Sequence, residues 1–209
     1  MKESDNMNKI DIVKTYANKL VGDWFDNAPK GQGKPLKNYT SGDGDNEGFE
    51  SITHKIINKS LSVYNLLDRS KVNGDYFKDD DGLHDDQRMD NHIWIDDKVV
   101  IIEENRAWID KPFYTLKRAV VNTIMRLPHV NKHLSKDVIF LFTSLARDVT
   151  PKTESTSEYI HGYGNKIYDI NLSGHPRRTN KYNYFDNGFS QKELDKYVEL
   201  ICGVFSKYE

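Results

Sequence analysis

Apolar residues near the start of the chain recur every three or four positions. Ile10, Val13, Tyr16, Ala17, Leu20, Val21 and Trp24 form one stripe, which predicts an amphipathic helix over residues 8–25. A second stripe, Phe49, Ile52, Ile56, Val63 and Leu67, predicts a helix beginning near Asn46, with Glu50 beside its apolar side. The stretch between them, 27–48, is rich in Gly, Pro and Asn and reads as loop. Residues 68–88 are polar and acidic, a connecting segment or an exposed hairpin. Two strand-like runs follow, "MDNHIWI" and "DKVVIIEEN", separated by a turn at Asp96–Asp97. That connection is too short for a parallel crossover, so the pair is an antiparallel hairpin.

Helical spacing returns over 112–127, at Phe113, Leu116, Val120, Ile124 and Leu127, with Pro112 suited to a helix N-terminus. "KDVIFLFTSLA" is a continuous apolar run and predicts a strand buried on both faces. From 147 to 190 the chain is polar, with "KIYDINL" its one strand-like run. An amphipathic helix over about 190–207 closes it, with Ser190 as N-cap. Hairpin, helix and buried strand together predict an α/β fold, a central mixed β-sheet flanked by helices, in a single domain over 1–209.

Composition narrows the classes. With 37% hydrophobic and 11% aromatic residues the chain is ordered and globular. Cys202 is the single cysteine, so the chain holds no internal disulfide, and a reducing, cytoplasmic setting is expected. No apolar run reaches the length of a membrane span, and the N-terminus lacks a signal-peptide core. Charge is segregated. Residues 75–110 carry twelve acids and four bases, whereas 111–190 carry twelve bases and six acids. Such a chain concentrates cations in one region and meets phosphate in another.

The acids converge on "RMDNHIWIDDKVVIIEENRAW", residues 88–108. In a regular strand Val99, Ile101, Glu103 and Asn105 share one face, and Val100, Ile102, Glu104 and Arg106 the other. Asp90 starts the preceding strand, and the hairpin brings it beside Glu103. Two hard carboxylates, with water completing an octahedron, suit Mg²⁺, which binds a phosphate and lowers the pKa of a bound water. A register slipped by one residue replaces Glu103 and Asn105 with Glu104 and Arg106.

An Asp, then a strand ending in acid–X–Lys, then a helix and a buried strand, is the signature of the PD-(D/E)xK nucleases. Asp90, Glu103–Glu104–Asn105, the helix from Phe113 and "DVIFLFTS" resemble it, over roughly residues 46–145. Asn105 stands where the family usually has lysine. Either Asn105 itself or Lys117 on the following helix fills that role, and Glu50 matches the extra carboxylate that members place on the preceding helix. The resemblance implies a type II restriction endonuclease that hydrolyses double-stranded DNA to 5′-phosphate ends. It also implies Mg²⁺ as cofactor, Mn²⁺ as a substitute, and Ca²⁺ as an ion supporting binding without cleavage. A homodimer matches a palindromic site, with the first or last helix as dimer face or as core. A cognate DNA methyltransferase would be its functional partner. The alternatives are a repair or junction nuclease on the same core, and a non-catalytic DNA-binding protein with a decayed site.

For DNA contact, 147–190 is the expected recognition elaboration. Arg177, Arg178 and Lys181 pair with phosphates or guanine, Asn180 and Asn183 with adenine, and Tyr182 packs on sugar or base. Lys34 and Lys37, in the polar stretch 27–42, are further phosphate contacts.

Overall fold

A computed structural model describes residues 3–31, 34–42, 47–73, 90–107, 132–145, 166–174 and 185–209. The first stripe forms α1, Glu3–Asp26, which buries Val13, Ala17, Val21 and Trp24. Residues 27–48 are not all loop, since Lys34–Ser41 forms a helix, α2. Gly, Pro and Asn dominate that stretch, but Leu36, Tyr39 and Thr40 lie at helical spacing and are buried. The Tyr39 hydroxyl bonds the Trp24 carbonyl, and the two rings stack at 5.5 Å. Tertiary burial outweighs weak propensity there.

The second stripe forms α3, Phe49–Val63, starting three residues later than expected. A 3₁₀ turn, Leu67–Arg69, leads into β1, Ser70–Asn73, so the segment expected as a connector or an exposed hairpin begins with a strand. The hairpin is β2, Asn91–Ile95, and β3, Lys98–Arg106. Asp96 and Asp97 turn it with positive φ values of 47° and 62°, a two-residue turn whose twist suits paired strands. Then come β4, Leu134–Ser144, and β5, Ile167–Asn171. The last helix, α4, is Gln191–Phe205, and Ser190 caps it by accepting from the Glu193 amide. The helix expected over 112–127 lies outside the described residues.

The strands form one mixed sheet, ordered β1-β2-β3-β4-β5. β1, β2 and β3 are antiparallel neighbours, and β4 and β5 run parallel to β3. The fold is therefore α/β, a mixed sheet with helices packed on it. α1, α3 and α4 bury one continuous core with Ile93, Ile101, Ile139 and Leu141. Between α1 and α4, Lys14 pairs with Glu199 at 2.6 Å, and Lys9 pairs with Glu209. The apolar faces of the first and last helices are therefore core. Among the described residues no helix is long and apolar enough to cross a membrane.

One irregularity decides where the acids point. From the turn, Ile95 pairs with Lys98 and Trp94 with Val99, but Ile93 then pairs with Ile101. Val100 is an extra residue in β3, a β-bulge. A regular ladder would have carried Asp90 opposite Glu103. With the bulge, Asn91 lies opposite Glu103, and continuing by one residue sets Asp90 against Glu104. Val99 leaves the expected face and joins Trp94, while Ile101, Glu103 and Asn105 face the helices.

A close approach joins α2 to α3. A Cβ on Gly48 would stand 2.8 Å from the Ser41 carbonyl carbon and 2.9 Å from the Gly42 nitrogen. Backbone atoms cannot retreat as a side-chain tip does, so Gly48→Ala is expected to cost about 1–3 kcal/mol. Thermal unfolding measures it.

Candidate active site

The β2 and β3 ends, with the first turn of α3, bring Asp90, Glu104, Glu50, Asn105 and Arg106 together. The Asp90 Oδ2 accepts the Asn105 backbone amide at 2.5 Å, which ties the start of β2 to the end of β3. Burial and the Glu50 carboxylate beside it push the Asp90 carboxyl up to about 7. Glu104 is fully buried, and burial with the Asp90 charge pushes it up to about 9. The Arg106 guanidinium lies against Glu104 and opposes that shift, yet neither Glu104 oxygen completes a hydrogen bond of normal geometry. A buried acid and a half-buried one, both with elevated pKa values, are costly to leave ionised side by side.

Glu103, one residue away, is satisfied. Its Oε1 accepts from the Tyr197 hydroxyl at 2.7 Å and from Thr143 at 3.0 Å, and its Oε2 from Asn91 at 2.8 Å. Burial raises its pKa, while these donors oppose the rise. Its lone pairs are committed to pinning α4 and β4 to β3. The expectation that Asp90 faces Glu103 and Asn105 thus gives way to the register in which it faces Glu104 and Arg106, and the cause is the bulge at Val100. Tyr197 is the residue that sequence reasoning did not single out. It sits on the apolar stripe of α4, where a core tyrosine and a carboxylate partner have the same pattern.

Asn105 is 4% exposed. Its carboxamide lies close enough to Glu103 to help hold that pKa down, but neither side-chain atom makes a hydrogen bond of normal geometry. Lys37, Thr40, Ser41, Gly42, Gly48, Glu50, Asn105 and Arg106 are among the residues around a cleft of about 530 Å³ that opens beside the acids. Lys34 is on α2 but not among the residues around that cleft. Lys117, Arg177, Arg178, Asn180, Lys181, Tyr182 and Asn183 lie outside the described residues.

A hard divalent cation fits this donor set. Glu104 offers Oε2, its Oε1 lying against Arg106, and Asp90 has one oxygen beyond that held by Asn105. No three His, Cys, Asp or Glu side chains among the described residues gather to hold a metal, and Asp90 and Glu104 are the two carboxylates that could contribute to one. That is the usual Mg²⁺ pattern, with waters in the remaining positions.

The raised pKa values set the sign of a stability change. Folded Asp90 and Glu104 hold protons up to about 7 and 9, against ordinary values of 3.8 and 4.5. The folded chain binds more protons than the unfolded chain between those limits, so stability falls as pH rises through them. Without divalent ions, urea unfolding is expected to show stability lower at pH 9 than at pH 5.5 by several kcal/mol. Glu104→Gln should flatten the upper half of that fall.

Set against models of protein families, curated proteins and solved structures, the chain matches none of them.

Proposed function

We propose that the protein is a Mg²⁺-dependent endonuclease that cuts double-stranded DNA, most simply a type II restriction endonuclease acting as a homodimer. The observation that carries this reading is the pairing of two acids, half-buried Asp90 and fully buried Glu104. They face one another at the end of a hairpin, beside a cleft that also contains Arg106. Asp90 has the Asn105 amide and Glu104 has the Arg106 guanidinium beside it, but two like charges held side by side remain unfavourable for the fold alone and become favourable once a cation lies between them.

Asp90 and Glu104 would hold the ion, which supplies electrophilic stabilisation of a phosphate and a more acidic water. Arg106 takes the place on β3 that the lysine occupies in the PD-(D/E)xK pattern. Its guanidinium always carries charge and donates in a planar fork, so it pairs phosphate oxygens and does not take a proton. Glu50, beside Asp90 and at the edge of the cleft, is the carboxylate placed to accept a proton near the reacting phosphate. Asn105 borders the same cleft, with its carboxamide turned to Glu103. Three antiparallel strands followed by parallel ones, with carboxylates at the β2–β3 end, also agree with the resemblance.

Incubation of the protein with mixed plasmid and genomic DNA in Mg²⁺ tests the reading. Discrete fragments with 5′-phosphate ends support restriction, and nicking confined to branched or damaged DNA supports the repair nuclease. Binding without cutting would contradict an enzyme and leave a DNA-binding protein.

A further inference from the structure

We infer that Arg106 stands in for the metal in the metal-free protein, and that its guanidinium leaves Glu104 when a divalent cation binds there. That Asp90 and Glu104 receive the cation rests on the nuclease reading. The exchange of one cation for another is additional to it.

Glu104 and Arg106 are two residues apart in β3, so their side chains share a face of the sheet. Glu104 is fully buried, and the Arg106 side chain, 36% exposed, reaches it from the rim of the cleft. The guanidinium charge acts on Asp90 as well as on Glu104 and opposes the pKa rise of both. A single positive charge thus offsets two carboxylates, with Glu50 as a further negative neighbour. A divalent cation between the same two acids supplies that offset more fully.

The pairing is of a kind that can be exchanged. Elsewhere in the chain Arg69 grips Asp96 through two hydrogen bonds, from Nε at 3.0 Å and from Nη2. Such a fork is the strong form of an Arg–carboxylate contact. The Arg106 Nη2 meets the Glu104 Oε1 as an ion pair, but neither Glu104 oxygen completes a hydrogen bond of normal geometry. The Arg106 backbone, by contrast, is fixed. It pairs with Ser144 of β4, and its carbonyl accepts the Leu145 amide. Release is therefore a side-chain rotation on a held strand, and its outlet is the cleft that Arg106 already borders. There the freed guanidinium meets an anion, which is a phosphate on the nuclease reading. A guanidinium repels a divalent ion more than it repels the proton that the ion displaces, so removing Arg106 favours the metal.

Titration with Mn²⁺ followed by electron paramagnetic resonance, without DNA, tests the exchange. Arg106→Gln should bind Mn²⁺ about fivefold more tightly than the wild-type protein, and Arg106→Lys should stay within about twofold of it. A guanidinium that only braced the two acids would give the opposite sign. Mg²⁺ added to ¹⁵N-labelled wild-type protein should also move the Arg106 Nε resonance, assigned by its loss from Arg106→Gln. Equal or weaker Mn²⁺ binding by Arg106→Gln, a resonance unmoved by saturating Mg²⁺, or no Mn²⁺ binding by the wild-type protein would overturn the proposal. DNA cleavage in Mg²⁺ is read separately. Tighter Mn²⁺ binding by Arg106→Gln without cleavage by the wild-type protein removes the nuclease reading alone. Cleavage with Mn²⁺ binding unchanged by Arg106→Gln removes the exchange alone.

Discussion

Alanine at Asp90 or Glu104 is expected to lower Mg²⁺-dependent DNA cleavage by about 10³-fold or more, while binding in Ca²⁺ persists. Each substitution removes one of the two carboxylates that would hold the ion. Stability should move the other way for Glu104. Its carboxyl is buried, lacks hydrogen-bond donors of normal geometry and stands beside Asp90. Glu104→Gln keeps its shape and removes the charge, and should stabilise the metal-free protein by about 1–2 kcal/mol at pH 9. That corresponds to a rise in Tm of a few degrees, about 2–6 °C. Loss of activity with gain of stability distinguishes a working acid from one that holds the fold.

Glu103→Ala has the opposite expected signature. Removing this carboxylate leaves the Tyr197 hydroxyl, Thr143 and Asn91 donating to nothing inside the core. Unsatisfied buried donors and the lost volume together cost about 3–5 kcal/mol, and Tm should fall by about 10 °C. Cleavage per folded molecule should change far less than for Glu104. Tyr197→Phe removes one donor of the three and should cost about 1 kcal/mol by the same unfolding measurement. Two adjacent glutamates thus separate into one that stabilises and one that is costly to keep.

Much of the fold could be read from periodicity. The α1, α3 and α4 stripes each have enough apolar repeats to define a buried face, and Ser190 marks its helix start. The turn at Asp96–Asp97 also announced the hairpin, because two residues between apolar runs leave little choice of connection. α2 was hidden because Gly, Pro and Asn around it mark a loop, and its two apolar anchors gain their weight only from packing on Trp24. β1 was hidden because four residues at a sheet edge need little hydrophobicity. The site was legible as a set of acids but not as a pairing. One extra residue at Val100 shifts the ladder by one. A valine looks the same in a bulge as in a regular strand, so pattern alone favoured Glu103.

The most direct test of the central claim is the single-turnover rate of duplex DNA cleavage in Mg²⁺ for Glu104→Gln beside Glu103→Gln. Both variants keep the side-chain shape and should fold. The account predicts a loss of about 10³-fold for Glu104→Gln and less than about tenfold for Glu103→Gln. The reverse order, or equal cutting by both variants, would contradict it.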